Sequence, residues 1–437
     1  MLFHMGGSFK NITENLAGFR CYLTHGILLM IGVLWLSGCQ DSTLSCLCEE
    51  PSVLDEPTWE LDLRPVHFAD LPQWDQDKTA EVLEAFAHSC TRILRQPPHN
   101  RFGMFAGTYA DWHPACETLQ ALRNTDDPNH NTTNAQARNF FETHFRPFAV
   151  WGIVPDSVAH APYDTGLFTG YYEPRLRGSF ERSDVYHTPL RRKPDDLVMV
   201  DLGQFRESLR GQRIAGRVRE GRLFPYEERA DIMRGAIDAP DGSSVLVWVD
   251  DAIDAFFLHI QGSGIIDLPD GSVLRVGYAG QNGHVYYAIG RALVARGVME
   301  SSEVSLQSIA AWMRANPSEA TDLMNLNPSY VFFTPLTTQA PLGGENVPLT
   351  PKRSLAIDRS LAPYGLPVWV DIEPPVPDSP VIRRLMIAQD TGGAIRGPVR
   401  GDFFWGSGDK AAYLAGHMKS QGRYWFLLPA HLEPQQR

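Results

Sequence analysis

Positive charge, cysteine and long apolar runs are all scarce in this chain. Of its 437 residues, 39 are Lys or Arg and 51 are Asp or Glu, a formal net charge of −12. Phosphate backbones are gripped by clustered Lys and Arg, so this balance argues against nucleic acid as a partner. Neutral sugars stay open. The six cysteines include Cys46-x-Cys48, but no histidine cluster accompanies that pair, and it does not make a metal site. The apolar run Gly26 to Leu36 falls short of the roughly 20 residues a transmembrane helix needs. No internal repeat is visible. What is present is a globular composition, 43% hydrophobic and 21% charged, sufficient for a core in two or three domains of ordinary size.

The short apolar run carries the flanks of an address. Lys10 and Arg20 precede it, and Leu36-Ser-Gly-Cys39 ends it. That arrangement reads as a signal peptide, residues 1–38. Small residues before a cysteine resemble a bacterial lipoprotein signal, which implies cleavage before Cys39 and lipidation on it. Gln40 follows where an aspartate would imply inner-membrane retention. The resemblance therefore implies an outer-membrane anchor in a Gram-negative cell, with the protein facing the periplasm. Each acyl CH₂ buried contributes about 0.8 kcal/mol. Residues 39–56 are polar, lack apolar periodicity and read as a lipidated tether. An oxidising periplasm permits disulfides, and Cys90 with Cys116 is the candidate pair; the alternative is free or buried thiols.

Helical periodicity runs from Asp75 to Gln96, with Val82, Leu83, Phe86, Cys90, Ile93 and Leu94 on one stripe. Pro97-Pro98 ends it. A polar loop, Asn124 to Asn134, precedes a second helix from Ala135 to Phe145. The strand Gly166 to Tyr172 leads into Glu173-Pro174. Beyond it, Gln204 to Leu209 reads as helical. Arg213 to Phe224 reads as a hairpin turning at Glu220-Gly221, and Pro269-Asp270-Gly271 as another hairpin turn. Val245 to Val249 is a strand; Val285 to Ala295 and Leu306 to Ala315 are helices. Pro335 to Pro351 reads as a linker. Strands resume at Pro367–Asp371, Leu385–Ala388, Phe403–Trp405 and Arg423–Leu428, with a helix from Asp409 to Lys419. The class is mainly β with added helices.

The chemistry concentrates late in the chain. The strand Leu385 to Ala388 runs into Asp390-Thr-Gly-Gly-Ala-Ile-Arg-Gly397, and Asp402 opens the aromatic strand Phe403-Phe-Trp405. Carboxylates at glycine-rich turns suit a polar cleft on a β-scaffold, or simply turn capping. An aspartate works as a general acid near neutral pH only when burial or a neighbouring negative charge raises its pKa. The aromatic neighbours of Asp402 fit that need.

This stretch resembles the three-aspartate domain of the membrane-bound lytic murein transglycosylase A family. The earlier aspartate of that pattern matches Asp358. Supporting matches are Phe168-Thr-Gly-Tyr-Tyr-Glu-Pro174, His259-Ile-Gln-Gly-Ser-Gly264 and Arg275-Val-Gly-Tyr-Ala-Gly-Gln-Asn-Gly283. The resemblance implies a double-psi β-barrel domain made of residues 57–173 and 336–437. It also implies a smaller β-rich domain, residues 174–335, inserted between them. Asp402 matches the catalytic acid/base, Asp390 a second catalytic aspartate, and Thr169 a sugar contact. Asp358 lines the site or caps the turn before Pro363. Gln261 bonds sugar or serves its glycine turn, and Tyr171 is a further candidate contact. The implied substrate is the peptidoglycan glycan strand, with a wall-synthesis or wall-hydrolysis complex as a further partner, and no metal or cofactor is required. Two other readings stand beside it: a non-catalytic wall-binding barrel, and a hydrolytic muramidase using Glu173 or Asp390 to activate water.

Overall fold

The computed structural model describes residues 59–123, 132–153, 161–206, 209 and 213–433. The signal segment, Cys39, the tether and residues 124–131 of the polar loop lie outside the described residues. The chain divides into Met1–Asp55 and Glu56–Arg437, and every described residue belongs to the second unit.

Its first part holds β1 (Glu60–Pro65), α1 (Val82–Ile93), α2 (Tyr109–Arg123), α3 (Asn134–His144), β2 (Phe145–Ile153) and β3 (Gly166–Glu173). Next come β4 (Arg175–Ser179), β5 (Thr188–Arg191), β6 (Val198–Asp201), β7 (Arg213–Arg219), β8 (Arg222–Pro225), α4 (Arg229–Met233) and β9 (Val245–Val249). These lead to α5 (Ala252–Gln261), β10 (Ser263–Asp267), β11 (Val273–Gln281), α6 (Gly290–Ala295), α7 (Leu306–Ala315), α8 (Pro317–Asn325) and β12 (Val331–Leu336). The last part holds β13 (Ser354–Ile357), β14 (Pro367–Ile372), β15 (Ile382–Asp390), β16 (Gly401–Ser407), α9 (Asp409–His417) and β17 (Lys419–Pro429).

The first and last parts share one sheet, ordered β1-β2-β17-β14-β15-β13-β16-β3. The long strand β17 also pairs with β3 through Lys419 to Gly422. Helices α1, α2 and α3 pack on this sheet. Val82, Phe86, Cys90 and Ile93 of α1, at helical spacing, sit in one core with Phe141, Trp369 and Phe426. Cys90 and Cys116 are joined by a disulfide that pins α1 to α2. The middle part forms a second sheet, β12-β11-β10-β4-β9-β5, and a small third one, β6-β7-β8. It has separate cores, one around Leu190, Val247 and Ile266, another among α5–α8 around Phe256, Leu293 and Met313.

Local chemistry explains several boundaries. Thr133 caps α3 through a reciprocal bond with Gln136, and Asp251 caps α5 by accepting the Ile253 and Asp254 N–H groups. The β7–β8 hairpin turns on Glu220 and Gly221, both at positive φ (50° and 74°), as a tight two-residue turn demands.

Four expectations need correction. The periodic stretch from Asp75 is continuous helix only over Val82–Ile93, because Trp74–Gln76 and Thr79–Glu81 are separate 3-10 turns. The helix expected from Val285 begins at Gly290. In the stretch expected as a helix from Gln204 to Leu209, the described residues show a 3-10 turn at Leu202–Gln204, capped by Asp201, and 3-10 geometry again at Leu209; residues 207 and 208 lie outside the described residues. Pro335 to Pro351 is no free linker: Pro335 lies in β12, Leu342 bridges to Pro348, and Glu345, Val347 and Leu349 are buried. Proline and glycine there mark close packing.

Candidate active site

Strand register assembles the site. Ala356 of β13 lies directly opposite Asp402 of β16 and opposite Asp390 of β15. Asp402 in turn lies opposite Thr169 of β3, in a parallel pairing. Residues directly opposite share a face, so Asp390, Ala356, Asp402 and Thr169 form one row across four strands. The two aspartates straddle Ala356, two strand spacings apart, about 10 Å between backbones. In the row between them stands the Ala356 methyl group, and the Tyr171 hydroxyl interacts with both carboxylates.

A bulge aims Asp390 into that row. The β13–β15 register shifts between Leu355 and Ala356, leaving Gln389 as the extra residue. Its amide is fully buried; Nε2 donates to Ala85 O (2.8 Å) and Ser89 Oγ (2.9 Å), and Oε1 accepts from Ser354 Oγ (2.6 Å). With its neighbour anchored inward, Asp390 is held at the strand end.

Asp402 is closely surrounded by protein yet still partly reached by solvent. Burial raises its pKa from 3.8 to about 6; the Asp390 charge pushes the same way, while Arg400 and the Thr169 hydrogen bond hold it back. Thr169 Oγ1 donates to Asp402 Oδ1 at 2.7 Å, and Arg400 Nη2 donates to Thr169 Oγ1 at 2.9 Å. Arg400 is oriented by bonds to Leu167 O and Gly401 O. Phe404, almost wholly buried, packs on Tyr171 with ring centroids 5.1 Å apart. Of the three aromatic neighbours expected to wall Asp402, only Phe404 lies on its face of β16, with Tyr171; Phe403 and Trp405 point to the other face, their rings 4.5 Å apart.

Asp390 is also raised, chiefly by burial, and held back by the Thr391 and Gly344 N–H groups, each 2.8 Å from Oδ1. Those bonds favour its charged form. The enclosed Tyr171 hydroxyl lies beside this carboxylate without full hydrogen-bond geometry, and burial followed by the Asp390 charge drives its pKa well up. Tyr171 therefore stays protonated.

Other candidates sit elsewhere. Asp358 is 2% exposed; Oδ1 accepts from Ser360 N and Oγ, Oδ2 accepts from Gly397 N at 2.8 Å, and Arg396 lies 3.5 Å away. It ties down the Asp390–Gly397 turn from behind. Gln261, at the end of α5, accepts from Tyr172 N at 3.0 Å and so connects the second sheet's helix to β3. Glu173 is buried in an ion pair with Arg275. Burial raises its pKa and Arg275 opposes the rise. Sequence reasoning missed Arg400. The signal was available: it stands two residues before Asp402, on the same side of an extended segment.

The β-rich fold with helices on its first sheet and the aspartate row define a class: a sheet-built protein holding a largely enclosed carboxyl group whose pKa burial raises to about 6. Comparison with known proteins narrows this. Residues 167–334 match the MltA specific insert domain and residues 353–428 match the 3D domain. The membrane-bound lytic murein transglycosylase A of Escherichia coli (strain K12) is 33% identical over 276 residues, 61% of this chain and 67% of that protein. The crystal structure of a membrane-bound lytic murein transglycosylase from Agrobacterium tumefaciens superposes with a TM-score of 0.71 at 32% identity, over 84% of this chain and 98% of that one. E. coli MltA with bound chitohexaose gives a TM-score of 0.59 at 26% identity, over 86% and 95%. The chain belongs to the membrane-bound lytic murein transglycosylase A family.

Proposed function

We propose that this chain is a peptidoglycan lytic transglycosylase in which Asp402 serves first as acid and then as base. It cleaves the β-1,4 bond between N-acetylmuramic acid and N-acetylglucosamine. Asp402 delivers its proton to the glycosidic oxygen as the C1–O bond breaks. The muramyl acetamido group supports the positive charge at C1. The Asp402 carboxylate then takes the proton of the C6 hydroxyl of the same sugar. O6 bonds to C1 and closes a 1,6-anhydro ring. The nucleophile is part of the substrate, so proximity replaces a positioned water. The observation that carries this reading is the largely enclosed Asp402, its pKa raised to about 6, in one row with Thr169 and Asp390.

In this reading Thr169 and Arg400 are positioning residues for the acid, and Asp390 with Tyr171 lines the sugar site. Asp358 shapes the turn instead of meeting sugar. Hydrolysis by inversion or retention needs a second carboxylate as base or nucleophile. Glu173 is engaged by Arg275, and Asp390 has two backbone N–H groups on one oxygen, which favours the non-hydrolytic route. We further assign residues 57–173 and 336–437 to a double-psi barrel and 174–335 to an inserted domain. The pairing of β17 with both β14 and β3 supports a closed ring of strands. Among the described residues no helix is long and apolar enough to cross a membrane. The Leu36-Ser-Gly-Cys39 signal supports a lipid anchor in the outer membrane.

A pH-rate profile tests the acid. Only the protonated form can start the reaction, so kcat/KM should fall about tenfold per pH unit above about pH 6. In Thr169→Val the charged form loses a hydrogen bond, so this limb should move to higher pH by roughly half a unit or more. A limb that stays in place in Thr169→Val, or a profile flat from pH 5 to 8, would remove Asp402 from the acid's role.

A further inference from the structure

We propose that a recess next to Asp390 binds the acidic stem peptide carried by the muramyl residue, with Arg92 and Arg359 holding the peptide's carboxylates. The proposal rests on the transglycosylase reading and names the part of the substrate that reading leaves out. The recess has a volume of about 370 Å³ and lies between α1, the loop before α2 and the segment after β13. That size is within the roughly 300–1,000 Å³ of ligand sites.

Its position ties it to the reaction. Gly344 lines the recess and also donates its N–H to Asp390 Oδ1 at 2.8 Å. A Cβ at residue 344 would collide with the Tyr364 hydroxyl, so glycine is what lets this backbone pack between Tyr364 and Asp390. Tyr364 lines the recess as well, and its hydroxyl feels the Asp390 charge. Gly344 and Tyr364 thus connect the recess to Asp390 at the end of the row.

Its charge selects the ligand. Two guanidinium groups face this recess, and one carboxylate, Glu345, lies with them. Among the described residues, Arg92 and Arg359 make no ion pair, and both line this recess. The Arg359 guanidinium is already set over the Tyr364 ring, 5.1 Å from its centroid, which reduces the ordering cost of binding. Glu345 lies at the floor with Oε2 taken by Ser89 Oγ at 2.6 Å. Burial pushes its pKa up to about 7, so near neutrality it only partly offsets the arginines. Tyr109 adds a hydroxyl at the wall. Neutral sugar rings do not call for two unpaired guanidinium groups. Carboxylates do, by charge-assisted hydrogen bonds. On intact strands the muramyl lactyl carboxyl is consumed in the amide to the stem peptide, so the peptide is the source of free carboxylates; stripping the peptide leaves only the lactyl carboxylate close to the ring.

The test compares two substrates: glycan strands with their stem peptides and the same strands stripped by an amidase. The full chain and its Arg92→Gln/Arg359→Gln variant are assayed on both. For intact strands the variant should lose about tenfold or more in kcat/KM, the loss of charge-assisted bonds. For stripped strands it should stay within about twofold, which also shows that the fold survives. An equal loss on both, marking a subsite for the sugar or its lactyl carboxylate or damage to the fold, overturns the proposal, as does no loss on either. If the wild type cuts neither substrate, the transglycosylase reading fails first. The recess is then judged by calorimetric titration with the free acidic tripeptide of the stem. Binding to the wild type that weakens about tenfold in the variant supports it; no binding, or equal binding, overturns it.

Discussion

Asp402→Asn should abolish strand cleavage while making the protein more stable at alkaline pH. The substitution keeps shape and the hydrogen bond accepted from Thr169 at Oδ1. It removes the proton that the reaction moves twice, so the loss in kcat should be about 10³-fold or greater, at the upper end of what general acid–base groups supply. The stability gain follows from linkage. The folded pKa, about 6, lies above the unfolded value of 3.8. The native state therefore holds the proton more tightly, and stability falls as pH rises through the window between these values, with the full penalty above it. Asparagine carries no such penalty. A shift of two units corresponds to about 3 kcal/mol at most, and partial solvent access reduces this to about 1–2 kcal/mol. Urea unfolding at pH 8 should show the variant ahead by that amount, and at pH 4 the two proteins should converge. Retained cleavage, or an equal difference at both pH values, would contradict the assignment.

The largest stability loss is expected from Arg353→Met. Arg353 is 2% exposed and meets Asp77, itself buried, through two parallel bonds of 2.8 and 2.9 Å. It also donates to Leu385 O and Lys78 O, each at 2.9 Å, while Asp77 Oδ2 accepts from Leu385 N. The group thus joins the segment before α1 to the strands β13 and β15 that carry the aspartate row. Removing one partner leaves a buried carboxylate without its counter-charge, at a cost of about 3–5 kcal/mol. Replacing both in Arg353→Met/Asp77→Leu should cost clearly less than the sum of the single changes, since the two side chains act as one unit. Activity at low temperature should persist, because neither touches sugar. A single-variant loss below about 1 kcal/mol would show that the pair is not what joins these segments.

Much of the site is legible because its signals are local. Asp390 before two glycines and Asp402 beside three aromatic residues are readable in any window of ten. The same is true of Glu220-Gly221 as a hairpin turn and of Leu306 to Ala315 as a helix. The unread part depends on pairings between distant segments. Nothing local says that Ala356 stands between Asp390 and Asp402, or that Gln389 turns inward to meet Ala85 and Ser89 some 300 positions earlier. Pro335 to Pro351 resembles a linker because composition cannot separate a loop in water from one packed against a core. Arg400 reads as one more arginine in a turn; only the strand pairing of Asp402 with Thr169 gives it a task.

The most direct test of the whole account is to digest purified peptidoglycan in water enriched in heavy oxygen and weigh the released muramyl fragments. The account predicts 1,6-anhydro ends, one water lighter than hydrolysed ends and free of the heavy isotope. Full-mass reducing ends carrying heavy oxygen would mean that water, and not the sugar's own C6 hydroxyl, completes the reaction.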